Sequence, residues 1–135
     1  RCQQEVRNKL FSWEIFDADA ENIIVQLISD GFINEERFAK AFTSGKFNIK
    51  KWGRFKIKIE LKARNISDYC IRKGLEEIDG AEYQKTICDL IKKKAALVKE
   101  KNTFIKCNKI ATFLISKGFE NELVWNELKN TNFVS

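Results

Sequence analysis

Lys46, Lys50, Lys51, Arg54, Lys58 and Lys62 are the side chains whose type and spacing offer chemistry, and that chemistry is the binding of an anion. From Lys40 to Arg64 the chain carries nine basic residues (Lys40, Lys46, Lys50, Lys51, Arg54, Lys56, Lys58, Lys62 and Arg64) against Glu60 alone, a local charge of +8 in a chain of formal net charge +6. The basic character is therefore confined to one region, which points to a polyanionic partner rather than to general solubility. If Lys51, Arg54, Lys58 and Lys62 each met a phosphate of a single strand, the slope of log K against log salt would be roughly −2.8, at ~0.7 per contact. Binding would weaken ~50-fold between about 50 and about 200 mM salt, as suits an auxiliary contact. Phe47, Trp52 and Phe55 lie in the same segment and bring ring faces on which bases could stack. Trp52 and Phe55 share an apolar stripe with Ile59 and read as packing; Phe47 is left open between stacking and core. A second basic zone, Lys92, Lys93, Lys94, Lys99, Lys101, Lys106 and Lys109, is diluted by Asp89 and Glu100 and reads as solvated surface.

Other chemistries find little support. The chain has no His, no GxxxxGK[ST] phosphate loop and no GxSxG elbow, so catalysis would rest on carboxylates, Cys or Lys alone. The adjacent pairs Glu35-Glu36 and Glu76-Glu77 point about 100° apart on a helix and cannot converge on one proton, so both read as solvated helix ends. No catalytic residue, cofactor or small-molecule substrate is expected. Cys2, Cys70, Cys88 and Cys107 contain no CxxC pair, and a zinc site would need all four scattered thiolates. Cys70 and Cys88 sit at helical spacing among apolar residues, as reduced thiols serving as small hydrophobes in a cytoplasmic protein. No run of 18 apolar residues and no apolar stretch after a charged start occur, so neither a membrane span nor a signal peptide is read.

The elements that must position the cations begin with an ambiguity. In GRFKIKIELKARNIS, residues 53–67, apolar and charged residues alternate as in a half-buried strand. At 100° per residue, however, Lys51, Arg54, Lys58 and Lys62 fall within an arc of about 80°, with Trp52, Phe55, Ile59 and Ala63 on one side and Ile57 and Leu61 on the other. Residues 52–64 are therefore read as a helix wedged between two neighbours, its third side basic.

A shift of 53 residues lays residues 57–78 over a second copy further on, pairing Ile57 with Ile110, Leu61 with Leu114, Ile66 with Phe119, Ile71 with Val124 and Leu75 with Leu128. Asn65 meets Gly118, the two residue types that most readily adopt the left-handed conformation closing a helix. A weaker copy lies at the front. The fold class is all-α, in degenerate repeat units of roughly 1–31, 32–79 and 80–135. Helices are expected over 2–13, 18–30 (ended by Gly31), 35–47 (capped by Asn34), 52–64, 68–78, 81–99, 103–117 and 120–130.

The stretch INEERFAKAF followed by KWGRFKIKIELKARNISDYCIRKGLEEID resembles the RecX family of recombination regulators. The matching features are a turn after Gly31, the polar start at Asn34 and Glu35, the Arg37-Phe38-Ala39 triplet, the basic run, Trp52-Gly53, the spaced Ile57 and Leu61, and Asn65-Ile66-Ser67 where the family carries a Lys-Gly-Ile type of turn. Resemblance is dense over residues 30–79 and looser elsewhere, with Lys117-Gly118-Phe119 echoing the same turn. It implies tandem three-helix repeats in a curved, elongated array, three units with the first incomplete, and regulation rather than catalysis: binding of the RecA recombinase filament on single-stranded DNA and restraint of its activity, with Lys46, Lys50, Lys51, Arg54, Lys58 and Lys62 as the electrostatic contact. It also implies a first helix that precedes residues 2–13 in other members.

A competing reading takes helices 52–64 and 68–78 as a helix-turn-helix pair in a free-standing DNA-binding domain. Asp68, Glu76 and Glu77 beside Arg72 and Lys73 give the second helix a poor charge balance for a recognition helix.

Overall fold

The computed structural model describes residues 18–131, and every regular element among them is an α-helix. In chain order they are α1 (Ala18–Asn48), α2 (Arg54–Ala63), α3 (Asp68–Leu75), α4 (Gly80–Leu97), α5 (Thr103–Ser116) and α6 (Asn121–Asn130). The helix expected over 2–13, and Cys2, lie outside the described residues. The segment that alternates like a strand is helical. Two compact units result: residues up to Ser44 with Lys58–Glu77 form the earlier, and Gly45–Ile57 with the residues from Ile78 onward form the later.

In the earlier unit the break expected at Gly31 and the new start at Asn34 are absent, because α1 runs unbroken for 31 residues. The reason is visible in its buried face. Gly31, Glu35, Ala39 and Thr43 recur every four residues, all buried, so one stripe of mostly small residues continues straight through the expected break. An interior glycine costs only ~1 kcal/mol against alanine, which continuous packing offsets. Small residues also let α3 approach closely: a Cβ placed on Gly74 would lie 2.8 Å from the Ala39 carbonyl oxygen.

Glu35, expected at a solvated helix end, is 1% exposed. Its Oε1 accepts a hydrogen bond from the Ser67 backbone N–H at 2.6 Å, while the Ser67 hydroxyl accepts from Cys70 N–H at 3.2 Å as the N-cap of α3. A carboxylate can be buried here because it meets orphan amides at the positive end of a helix.

Two helix ends repeat each other as the 53-residue shift requires. After α2, Asn65 has φ 60° and Ile66 N–H donates to Leu61 O at 3.2 Å; after α5, Gly118 has φ 100° and Phe119 N–H donates to Leu114 O at 3.2 Å. Both are Schellman closures in which the next residue, Ile66 or Phe119, turns into its core.

The later unit is built on α4, α5 and α6, started by Asp79 accepting from Glu82 N–H at 3.0 Å and Asn102 accepting from Ile105 N–H at 3.1 Å. Ile87, Ile91, Ile110, Leu114, Phe119, Val124 and Leu128 are buried. Phe47 is 5% exposed and its ring lies 5.7 Å from that of Tyr83, which lies 5.3 Å from Phe119. Phe47 is thus a core residue and offers no ring to a base.

Along α2 only one apolar stripe is covered. Ile57 and Leu61 are fully buried, whereas Phe55 and Ile59 are 56% and 63% exposed and Ala63 is exposed too. The expected wedge between two neighbours is therefore corrected: the two four-residue stripes are alike in sequence, and only the Ile57–Leu61 side meets a core.

Candidate nucleic-acid interface

In the later unit, α1 ends on a turn that aims lysines outward. Trp52 N–H donates to Lys46 O at 3.1 Å, and Lys51 takes the left-handed conformation with φ 57°, leaving Lys50 and Lys51 exposed. A non-glycine residue there costs roughly 1–2 kcal/mol, so the surrounding contacts must hold the turn. They do so through a glycine joint. Gly53 N–H donates to Lys117 O at 2.7 Å and Phe55 N–H to Gly118 O at 3.0 Å. A Cβ on Gly53 would collide with the Gly118 carbonyl group, and one on Gly118 would lie 2.5 Å from Lys56 Cβ. Only bare backbone fits this approach.

The joint carries Lys117 to the basic segment, where its Nζ donates to Lys50 O at 3.1 Å. The ammonium groups of Lys46 and Lys56 stand 4.7 and 4.5 Å from the Trp52 ring centroid. Partial desolvation, and then the neighbouring Lys56 charge, hold Lys117 below the ordinary lysine range. Lys46 and Lys56 thus flank one half-buried tryptophan, and Lys117 reaches the backbone of the exposed Lys50 beside it in sequence. Lys56 belongs to the basic run without belonging to the row picked out by helical spacing, and Lys117 lies outside the run; the signal for Lys117 in the sequence is the Gly118 turn beside it.

Arg54 has a different occupation from the one its place in the basic row suggested. Its Nη1 donates to Glu120 Oε2 at 2.9 Å, and its guanidinium carbon lies 3.9 Å from the Tyr83 ring centroid. Its backbone N–H donates to the Tyr83 hydroxyl at 3.1 Å, and that hydroxyl donates to Glu120 Oε1. Burial, and then Glu120, push the Tyr83 phenol far above its usual range. Arg54 is therefore neutralised inside an Arg54–Glu120–Tyr83 knot that ties the start of α2 to the N-cap of α6.

In the earlier unit Lys58 and Lys62 are exposed, with Lys62 Nζ 3.9 Å from Asp68 Oδ1. The flanks of the basic run are partly balanced on their own helices, Lys40 by Glu36 at 3.2 Å and Arg64 by Glu60 at 3.3 Å. In the second basic zone Lys94 covers the Phe113 ring at 4.5 Å, and Lys92, Lys93, Lys99, Lys101 and Lys109 are exposed.

Among the described residues no group of three or more His, Cys, Asp or Glu side chains is placed to hold a metal ion, and no helix is long and apolar enough to cross a membrane. Burial first, then Glu127, pushes the Cys88 thiol up to about 11; burial also raises the buried Cys70. Both are poor nucleophiles near neutrality.

Comparison with known proteins places this arrangement. Residues 34–75 match the second three-helix domain of RecX, and residues 81–127 match the third. The chain belongs to the RecX family. Regulatory protein RecX of Bacillus cereus (strain B4264) is 26% identical over 125 residues, covering 92% of this chain and 46% of its own length. The RecX of Clostridium beijerinckii is 29% identical over 131 residues, covering 96% of this chain and 61% of its own. The chain thus spans about half the length of these relatives. The crystal structure of RecX from Lactobacillus salivarius aligns with a TM-score of 0.76 at 25% identity, over 99% of this chain and 87% of that one. The glycine joint and the Arg54 knot each draw on both matched segments. The tandem three-helix architecture that the resemblance implies is that of the family.

Proposed function

We propose that this chain regulates the RecA recombinase, binding the RecA filament on single-stranded DNA and restraining its ATPase and strand exchange, and so modulates DNA repair and recombination in the cytoplasm. The observation that carries this reading is that each unit of a RecX-family helical repeat presents cations from the same basic segment: Lys50 and Lys51 exposed and Lys46 half-exposed in the later unit, where Lys56 and Lys117 join them, and Lys58 and Lys62 exposed in the earlier unit. Arg54 leaves the set because Glu120 neutralises it. Exposed Ile59 beside Lys58, and exposed Phe55 in the later unit, give each unit an apolar contact of the kind a protein partner covers. DNA is then the auxiliary, salt-sensitive partner and RecA the principal one.

The test is charge reversal. Changing Lys50, Lys51, Lys58 and Lys62 together to Glu abolishes inhibition of the DNA-dependent ATPase of RecA while leaving helicity intact by circular dichroism. Full inhibition by the folded quadruple variant would remove these residues from the mechanism.

A further inference from the structure

Between α2 and α3 of the earlier unit lies a cleft of about 290 Å³ lined by Lys58, Lys62, Asp68, Ile71, Arg72 and Leu75. Three cations and one carboxylate surround an apolar floor. The cations come from two helices: Lys58 and Lys62 are one turn apart on α2, and Arg72 is one turn beyond Asp68 on α3. Arg72 adds to the basic segment a charge that lies outside it in sequence. The Lys62–Asp68 pair spans 3.9 Å with side chains 54% and 84% exposed, and pairs so solvated contribute little. An incoming anion can displace Asp68 at small cost.

We propose that this cleft clasps one phosphodiester of single-stranded DNA, with Lys58, Lys62 and Arg72 around the phosphate and Asp68 as a built-in competitor that the phosphate displaces from Lys62. The inference rests on the nucleic-acid part of the proposed function and adds to it a residue, a ligand group and a brake. A single protein carboxylate would find only what Asp68 already supplies. A nucleotide brings both the anion for three cations and flat apolar surface for the half-buried Leu75, and the volume lies at the small end of ligand sites, roughly 300–1,000 Å³. The competitor makes the sign of one substitution distinctive: removing a carboxylate from the cleft tightens binding more than removing one elsewhere on the same helical segment.

The experiment measures binding of a fluorescent oligothymidylate by anisotropy between about 50 and about 200 mM salt, for the unaltered chain, Asp68→Asn, Arg72→Gln, Arg72→Lys and the control Glu76→Gln. Glu76 pairs with Lys73 at 3.8 Å, outside the cleft lining, so its change matches Asp68→Asn in charge alone. Arg72→Gln should weaken binding about 3–5-fold at low salt, while Arg72→Lys, which keeps the charge, stays within about 2-fold of the unaltered chain. Asp68→Asn should tighten binding about 2–3-fold, more than Glu76→Gln does. Equal effects of Asp68→Asn and Glu76→Gln, or an unchanged affinity of folded Arg72→Gln at low salt, would overturn the clasp. Loss of RecA inhibition in Arg72→Gln with DNA binding intact would also overturn it, assigning the cleft to an acidic group of the protein partner. An unaltered chain that binds no oligothymidylate overturns the clasp as well, and leaves the regulator reading to be decided separately by RecA ATPase assays.

Discussion

Replacing Arg54 by Gln separates two roles that its position on the basic row conflates. In the structure the guanidinium donates to Glu120 at 2.9 Å and covers the Tyr83 ring at 3.9 Å, with the Arg54 and Glu120 side chains 34% and 25% exposed. A hydrogen bond to a charged group contributes ~1.5–3 kcal/mol when well shielded, and partial exposure places this pair nearer the lower figure. The ring contact adds ~0.5–1 kcal/mol, so Arg54→Gln should cost about 2 kcal/mol. The DNA contact should hardly notice. With Lys50 and Lys51 each at a phosphate and Lys58 and Lys62 sharing a third, the salt slope is roughly −2.1, and it should remain so in Arg54→Gln while falling to roughly −1.4 in Lys51→Gln. Between about 50 and about 200 mM salt that difference reads as ~20-fold against ~7-fold weakening. Urea denaturation followed by circular dichroism, and anisotropy titrations on single-stranded DNA, measure the two quantities. An Arg54→Gln protein of unchanged stability whose slope drops by ~0.7 would refute the reasoning and return Arg54 to the phosphate-binding row.

Further outcomes follow from the same geometry. Glu35→Ala removes the buried acceptor of Ser67 N–H and should cost ~2–4 kcal/mol, with Glu35→Gln milder because it keeps an acceptor; a loss under ~0.5 kcal/mol in urea titrations is what a solvated helix residue would give. Thr43 Oγ1 is buried with no hydrogen-bond partner among the described residues, so Thr43→Val should leave stability unchanged or raise it by ~1 kcal/mol, and a clear loss would reveal a partner. Cys88, raised to about 11, holds its thiol protonated at pH 8, and its alkylation should speed up as pH climbs from 8 through 11. At pH 8 peptide-resolved mass spectrometry should find it reacting ~100-fold more slowly than free cysteine, whose thiolate is already abundant there; equal rates would contradict the burial argument.

What could be read from the sequence was whatever depends on neighbours along the chain. The helical character of residues 54–63 follows from the angular grouping of Lys51, Arg54, Lys58 and Lys62 despite perfect alternation, and the closures at Asn65 and Gly118 follow from the need for a left-handed residue at matching repeat positions. What failed depended on partners far away. The Gly31 break was read from a residue type, although Gly31 falls on a buried four-residue stripe that tertiary packing keeps helical. Phe55 and Ile59 looked as apolar as Ile57 and Leu61, and only the placement of the core separates them. Glu35 and Ser67 are 32 residues apart, Arg54 and Glu120 are 66, and Lys50 and Lys117 are 67, so no local pattern announces those pairs. Lys58 and Lys62, by contrast, lie exposed where helical periodicity placed them.

The central claim, that this RecX-family chain restrains RecA on single-stranded DNA, is tested most directly by the ATPase rate of preassembled RecA filaments as the folded chain is titrated from substoichiometric to equimolar ratios. The account predicts a fall in rate that the lysine-to-glutamate variant does not produce. An unchanged rate across the whole titration, with the chain helical by circular dichroism, would contradict it.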